Sequence, residues 1–343
     1  MRLLALPMAL FLLAAACGES EDAADPGSTE PTGGEELSGE IVISGSSTVE
    51  PISIDVAGKF GEIAPGVNVA VSGPGTGDGF QAFCNGDTDI SDASRAIKPE
   101  EIEACEASGV DFIEMKVAID GIAVLTSPEG GEISECLSFA DMYALVGPES
   151  QGFEQWSAAN DLAAELEGTV GAPFPDVPLT ITAPGEESGT YDSFVEIALE
   201  SIAEERGQEP QTRPDYQASA DDNVIIQGIQ GAPNSFGWVG YAFFEANQDT
   251  VKAFEVAGED GACVAPTAET ISDGSYPIAR PLFIYANLQK LEEKPELAEF
   301  VEFYLSEEGI TSATEVGYVG LPDEEIEATR EAFESRETGT REG

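Results

Sequence analysis

Between residues 41 and 51 the chain reads Ile-Val-Ile-Ser-Gly-Ser-Ser-Thr-Val-Glu-Pro: an apolar strand, a loop of small and hydroxyl residues, and a proline that suits the first helical turn. The helix that follows carries an apolar stripe at Ile52, Val56, Phe60 and Ile63. A helix start presents unpaired backbone N–H groups and partial positive charge, which suit a tetrahedral oxyanion. The stretch therefore predicts a strand–loop–helix unit that can hold an anion, although such loops are also common as plain helix caps.

The same arrangement occurs twice more. Strand 67–71 leads into the loop 72–77 and a short helix marked by Phe80 and Phe83. Strand 179–182 leads into the loop 184–190 and an amphipathic helix from Tyr191 to Ile202, which Gly207 can end. Helix capping explains any one of these loops, but three together favour a shared anion.

A fourth segment, residues 89–95, ends in Arg95. The guanidinium is always charged, and its planar fork matches the oxygens of a phosphate or carboxylate. The alternative role is a salt bridge to one of the many acidic residues nearby. Lys98 and Pro99 then begin another helix.

Charge and composition exclude several classes of function. The 343 residues include 66 acidic and 14 basic side chains, a net charge of −52, and no histidine. Nucleic acid is excluded as a partner because its backbone needs a basic surface. Without histidine the chain lacks the commonest general base and a usual metal ligand, and it shows no nucleotide-binding loop and no EF-hand. We therefore expect no enzyme activity, metal or cofactor.

An acidic surface does not prevent anion binding in a cleft. Salt screens surface charges beyond about 8–10 Å, whereas donors inside a closed cleft act at contact distance. We interpret the acidity as a solvated surface that maintains solubility.

The N-terminus has the features of an export signal. Arg2 precedes the apolar run 3–16, which is too short to span a bilayer, and small residues then lead to Cys17. This arrangement resembles a bacterial lipoprotein signal, in which the cysteine carries the lipid; an ordinary cleaved signal is the alternative. Residues 18–40 are predicted to form a disordered acidic tether because they have too little apolar surface to fold.

The ordered segments together resemble the periplasmic phosphate-binding proteins of bacterial phosphate transporters over about residues 41–322. The matching segments are residues 45–51, 75–80, 89–95, 187–191, 236–242 and 276–281. The resemblance implies an α/β, two-lobe periplasmic-binding-protein fold of type II, with a ligand cleft between the lobes and a two-strand hinge. Lobe I would comprise residues 41–125 and 277–322, and lobe II residues 126–276. The hinge strands would lie near 124–127 and 277–283, and residues 323–343 would form a last helix and a frayed tail.

The resemblance also implies a set of phosphate contacts, in which Arg95 supplies the one full positive charge. The set is Ser47, Thr48, Thr76, Ser94, Arg95, Ser188, Gly189 and Thr190. Two positions depart from the best-studied branch, which has arginine at Pro184 and aspartate at Ser94. That aspartate accepts the proton of hydrogen phosphate and so excludes sulfate. Ser94, whose hydroxyl can also accept, is the first candidate to replace it; Asp92 and Asp222 are weaker candidates.

Four cysteines follow Cys17. An even number in an exported protein indicates two disulfides, for which three pairings are possible; free thiols are the alternative. We favour Cys84–Cys105, which closes a short loop, with Cys136–Cys263, which ties distant parts of one lobe.

These features predict a monomeric, lipid-anchored protein on the outer face of the cytoplasmic membrane. It would capture inorganic phosphate and deliver it to an ABC transporter, whose permease subunits work with a cytoplasmic ATPase. The alternatives are a binding protein for sulfate, molybdate or tungstate, a secreted phosphatase, and an acidic surface adhesin or structural lipoprotein.

Overall fold

The computed structural model describes residues 37–186, 188–258 and 260–341. The expected signal sequence, Cys17 and the tether as far as residue 36 lie outside the described residues. One end of the expected tether is wrong, because the first strand already begins at Ser38. Ser38, Gly39 and Glu40 are exposed, so no apolar pattern reveals them as strand; their register with residues 66–68 comes from backbone pairing.

The first part of the chain alternates strands and helices. Its elements are β1 (Ser38–Gly45), α1 (Glu50–Ile63), β2 (Gly66–Ser72), α2 (Thr76–Cys84), β3 (Ile90–Ala93), α3 (Pro99–Ser108) and β4 (Phe112–Thr126). Strand β1 pairs in parallel with both β2 and β3, as the strand–loop–helix pattern requires.

The middle of the chain consists of short elements. They are β5 (Cys136–Leu137), α4 (Phe139–Val146), α5 (Asn160–Glu165), β6 (Thr182–Ala183), α6 (Gly189–Phe194), α7 (Glu200–Glu205), β7 (Gln217–Ala218), α8 (Asp222–Gln230), β8 (Gly237–Gly240), α9 (Tyr241–Asn247), β9 (Lys252–Ala253), β10 (Glu255–Ala257), β11 (Cys263–Val264) and α10 (Ala268–Ser272). A π-helical turn, Val195–Leu199, joins α6 to α7, and two 3-10 turns occupy Pro148–Ser150 and Trp156–Ala159. The helix expected after residue 190 is therefore present, with a wider turn inside it.

The chain then returns to the first sheet and ends in helices. These elements are β12 (Ala279–Asn287), α11 (Leu288–Glu293), α12 (Pro295–Tyr304), α13 (Glu307–Glu315) and α14 (Asp323–Ser335). The strand order is β2-β1-β3-β12-β4-β8, with β9 also paired to β4.

Two hydrophobic cores flank this sheet and define the lobes. Lobe I packs α1 and α12 on the sheet through residues such as Ile43, Val56 and Phe300. Lobe II packs around the two tryptophans, Trp156 and Trp238, which are fully buried. Each lobe is stabilised mainly by burying apolar surface, which contributes about 25 cal/mol per Å² removed from water.

The long strand β4 passes from one lobe to the other. It pairs with β12 as far as Gly121 and with β8 from Ile122 onward. Ile122, Val124 and Ile278 pack in the lobe II core, so the lobes change over before residue 125 on the first strand and after residue 277 on the second. Nearly every side chain of β4 is buried, including Asp120 beside the change, so no alternation of buried and exposed residues locates it.

The C-terminal residues differ from the expected frayed tail. After α14, the Gly339 N–H donates to the Phe112 carbonyl at 3.0 Å, and the Arg341 N–H donates to Glu114 Oε1 at 2.9 Å. One backbone pairing and one bond to the Glu114 carboxylate thus hold the described part of the tail against β4.

Both favoured disulfides are present. Cys84–Cys105 joins α2 to α3, and Cys136–Cys263 joins β5 to β11 across 127 residues of chain. Each bond therefore lies within one lobe.

Candidate anion-binding cleft

The cleft lies where β1 and β3 end and α2 begins, facing the helical run α6–α7. Its volume is about 640 Å³. Ligands of open α/β sheets bind outside the carboxyl ends of the strands, which is this position. The lining residues are Ser46, Ser47, Thr48, Gly75, Thr76, Gly77, Ser94, Arg95, Lys98, Asp192, Glu196, Ile197, Glu200 and Arg280.

The loop after β1 is held by its neighbours. The Ser46 N–H donates to the Asp92 carbonyl at 2.8 Å, and the Gly75 N–H donates to the Gly45 carbonyl at 2.8 Å. Gly79 in α2 lies against Gly45, where an added Cβ would come within 2.4 Å of the Gly45 Cα. Glycine is therefore required here for the two anion loops to meet.

Thr76 and Ser94 form one hydroxyl pair on the lobe I wall. Their hydroxyl oxygens lie 3.0 Å apart, and the Ser94 N–H donates to Thr76 Oγ1 at 3.2 Å. Each hydroxyl can turn its proton toward a ligand, because a hydroxyl both donates and accepts.

Arg95 lines the cleft but also has a carboxylate partner. Its guanidinium donates twice to Glu101, both at 2.8 Å, and lies over the Phe80 ring. Burial opposes ionisation of Glu101, but hydrogen bonds from Arg95 and the Lys98 N–H outweigh it and lower the pKa of Glu101. Arg95 thus makes a salt bridge, which was the alternative role, and it also lines the cleft, where ligand contact stays a prediction.

Arg95 is not the one full positive charge, which corrects the sequence-based expectation. Lys98 and Arg280 line the same cleft. Arg280 lies on β12, and it donates to Ser193 Oγ at 2.7 Å and to Thr48 Oγ1 at 3.2 Å. Arg280 lies in the matching segment 276–281, but no local pattern of the sequence shows which way a hinge-strand side chain points, so its role could not be predicted.

Three carboxylates on lobe II face these cations. Asp192, Glu196 and Glu200 recur every four residues along α6–α7 and line the cleft. Ser47 Oγ donates to Asp192 Oδ2 at 2.9 Å. The four-residue spacing of these acidic residues is present in the sequence. It was not assigned a role, because the prediction for this helix rested on its apolar face alone.

Burial changes the proton affinity of two of these carboxyls. It raises the pKa of Asp192; the Ser47 hydrogen bond opposes this effect, and the nearby charge of Glu196 adds to it. Burial also raises the pKa of Glu200, with added repulsion from Glu196 and Glu204. Both groups are therefore easier to protonate than ordinary surface carboxyls.

Five of the eight predicted contact residues line the cleft: Ser47, Thr48, Thr76, Ser94 and Arg95. Ser188, Gly189 and Thr190 are not among its described lining residues. They lie beside it: a Cβ on Gly189 would be 3.5 Å from the Ser47 carbonyl oxygen. The Ser188 hydroxyl accepts the Thr190 N–H at 3.2 Å, which is ordinary helix capping.

The two weaker candidates for proton acceptor lie elsewhere. Asp92 is fully buried below the β1 loop, where Ser53 donates to it at 3.0 Å, and burial raises its pKa to about 7. Asp222 begins α8 and is not among the described lining residues of the cleft. Asp192 is the aspartate that reaches the cleft.

Two further searches of the described residues bear on function. Within residues 37–186, 188–258 and 260–341, no cluster of three or more His, Cys, Asp or Glu side chains is arranged to hold a metal ion. The helices in those ranges include none with both the length and the apolar character needed to cross a membrane.

Comparison with known proteins places the chain in a family. A model described as a PBP superfamily domain matches residues 30–308. The protein SphX of Synechococcus elongatus is 37% identical over 302 residues, which cover 88% of this chain and 83% of SphX. The phosphate-binding protein PstS of Staphylococcus saprophyticus is 33% identical over 313 residues, covering 91% of this chain and 86% of PstS.

The fold agrees with a solved structure of similar sequence. A possible phosphate-binding protein from Planctomyces limnophilus superposes with a TM-score of 0.78 at 35% identity, covering 87% of this chain and 99% of that one. The chain therefore belongs to the PBP superfamily, in the family that contains PstS and SphX.

Proposed function

We propose that this chain captures inorganic phosphate outside the cytoplasm and delivers it to an ABC-type uptake transporter. The observation that carries the proposal is the cleft, where hydroxyl pairs and the guanidinium groups of Arg95 and Arg280 converge from different elements. Planar guanidinium groups and short hydroxyls are the side chains best suited to phosphate oxygens. The relative named as a phosphate-binding protein supports the same ligand.

Local charge explains how an acidic protein can bind an anion. Three of the chain's 14 basic side chains, Arg95, Lys98 and Arg280, line this one cleft. Donors at contact distance outweigh the distant surface carboxylates, whose field is screened by salt within about 10 Å. With the carboxylates of Asp192, Glu196 and Glu200 also in its lining, the cleft carries equal numbers of cations and carboxylates within a chain of net charge −52.

Selection of phosphate over sulfate needs an acceptor for the phosphate proton. We propose that Asp192 shares this role with Ser94, because both line the cleft. A carboxylate accepts a hydrogen bond from hydrogen phosphate but repels sulfate, which has no proton near neutral pH. Asp192 thus offers the chemistry of the aspartate that is missing at position 94.

The eight predicted contacts remain our proposal for the ligand set. Ser188, Gly189 and Thr190 would join it through a small hinge closure of lobe II, since Gly189 already lies beside the Ser47 carbonyl. We propose no catalysis: the family is one of substrate-binding proteins, and the chain has no histidine to act as a general base. We also propose that the protein acts as a monomer.

Calorimetric titration tests the function. The purified full-length chain, stripped of bound anions, should bind phosphate tightly and keep that affinity in excess sulfate. If sulfate displaces phosphate, the ligand would instead be another oxyanion. Absence of heat with phosphate, sulfate, molybdate and tungstate would overturn oxyanion capture altogether.

We propose that a lipid on Cys17 anchors the protein to the outer face of the membrane, supported by the signal-like residues 1–17. Cys17→Ser should move the protein from the membrane fraction to the soluble fraction of expressing cells. Cys84→Ser is the matched control, because it removes a different sulfur and should leave the protein in the membrane fraction. Membrane association of Cys17→Ser would contradict the anchor.

A further inference from the structure

Arg280 connects the two lobes at the base of the cleft. It is 9% exposed and comes from the hinge strand β12. One guanidinium nitrogen donates to Thr48 on the lobe I loop and to Ser193 on the lobe II helix. A change in the hydrogen-bond partners of Arg280 therefore alters contacts on both sides of the cleft.

The other terminal nitrogen of Arg280 is bound by Glu196 in a short ion pair. The Glu196 side chain is 37% exposed and lies on the π-helical turn that lines the cleft. The remaining carboxylate near Arg280, Asp120, fits poorly: its Oδ2 lies 3.6 Å from Arg280 Nε, beyond hydrogen-bond range. Among the described residues, neither Asp120 Oδ2 nor Arg280 Nε has a hydrogen-bond partner.

A buried guanidinium is costly unless an anion accompanies it. Glu196 supplies that anion from within the chain, at an edge of Arg280 that faces the cleft. A phosphate oxygen can make the same charge-assisted hydrogen bond, and it competes for the same donor. Glu196 is partly exposed, so it can be released to water at little desolvation cost, whereas Asp120 is buried and cannot.

Resting on the proposed function, we propose that Glu196 is an internal competitor for the anion, and that phosphate binding transfers the Arg280 guanidinium from Glu196 to a phosphate oxygen. Arg280 is then a ligand contact that operates only after this exchange. The affinity of the cleft reflects the difference between the two partners of Arg280, because breaking the ion pair opposes ligand binding. Glu196 thereby sets how much phosphate is needed to fill the cleft.

The exchange makes opposite predictions for its two partners. Glu196→Gln should lower the Kd for phosphate about tenfold, because a close ion pair worth about 1.4 kcal/mol no longer has to be broken. Arg280→Gln should raise the Kd at least about tenfold. In the Arg280→Gln background, Glu196→Gln should not tighten binding appreciably, because the ion pair that it removes is already absent.

Glu205→Gln provides the matched control, because it removes the same charge from an exposed position further along the same helical run. Calorimetric titration with inorganic phosphate on the full-length chains measures all five proteins, and circular dichroism checks that each is folded. Equal Kd values for Glu196→Gln and Glu205→Gln, or tightening by Glu196→Gln that persists without Arg280, would reject the exchange while leaving phosphate capture intact. Failure of the wild-type chain to bind phosphate would reject both. Should Arg280→Gln be unfolded, the comparison of Glu196→Gln with Glu205→Gln still decides.

Discussion

Replacing Arg95 with alanine is expected to weaken phosphate binding at least about 30-fold. The change removes a cation from the cleft wall and leaves its partner Glu101 without the two hydrogen bonds at 2.8 Å. The cleft therefore loses one positive charge and gains an uncompensated negative one. Losing one partner of a desolvated charge pair costs about 2–5 kcal/mol, which corresponds to this range of affinity.

Two variants separate charge from geometry in that experiment. Arg95→Lys keeps the charge but loses the planar fork, so we expect an intermediate Kd. Arg336→Ala removes an arginine from the exposed end of α14, where it contacts Phe333, and should leave the Kd within about twofold of wild type, as expected for a distant and screened charge. Titration of phosphate into each full-length chain gives the comparison, and near-native affinity in Arg95→Ala would remove Arg95 from the ligand set.

Local patterns were sufficient to predict the strand–loop–helix units and one wall of the cleft, whereas the two-lobe fold was implied by the resemblance to phosphate-binding proteins. The run at residues 41–51 requires a strand that stops at Gly45 and a helix that begins near Pro51, and both are found. Strands β1, β2 and β3 are parallel neighbours and carry their loops to the same edge of the sheet, so Ser47, Thr76 and Arg95 had to meet. This part of the site is encoded over short distances along the chain.

The opposite wall could not be predicted in the same way. Arg280 is more than 230 residues from Thr48, and the antiparallel pairing of β12 with β3 and β4 brings the two together. The acidic stripe Asp192, Glu196 and Glu200 had a helical spacing, but nothing local distinguishes it from a solvated helix face. Tertiary pairing decides its role, because it turns that face toward the cations.

Three boundaries were misplaced for a related reason. The strand residues 38–40 are held by backbone pairing, and the tail at residues 337–341 donates through its own backbone N–H groups, so neither segment needs a side-chain pattern of its own. The lobe change near Gly121 occurs inside a strand that is buried on both faces. The periodicity of apolar residues indicates which face of an element is buried. It cannot locate a boundary where both faces are buried or where a segment is held through its backbone.

Asp141→Ala is expected to lower the free energy of unfolding of lobe II by about 3–5 kcal/mol. Asp141 is fully buried on α4, and its carboxylate accepts five hydrogen bonds. The donors are Ser138 N and Oγ at 2.9 Å and the backbone N–H groups of Val170, Gly171 and Ala172 at 2.9, 2.8 and 3.2 Å. Alanine leaves these buried donors without an acceptor, and each such group costs about 1–3 kcal/mol, partly relieved by local relaxation.

Urea unfolding followed by tryptophan fluorescence measures this effect directly, because both tryptophans of the chain lie in the lobe II core. Asp161→Ala is the matched control: it removes an exposed aspartate from the first turn of α5 and should change the unfolding free energy by less than about 0.5 kcal/mol. Asp141→Asn keeps the shape but presents an amide NH₂ to N–H donors, so it should resemble alanine more than wild type. If Asp141→Asn were as stable as wild type, one oxygen would suffice, and the segment 170–172 would be held by its own backbone rather than by the carboxylate.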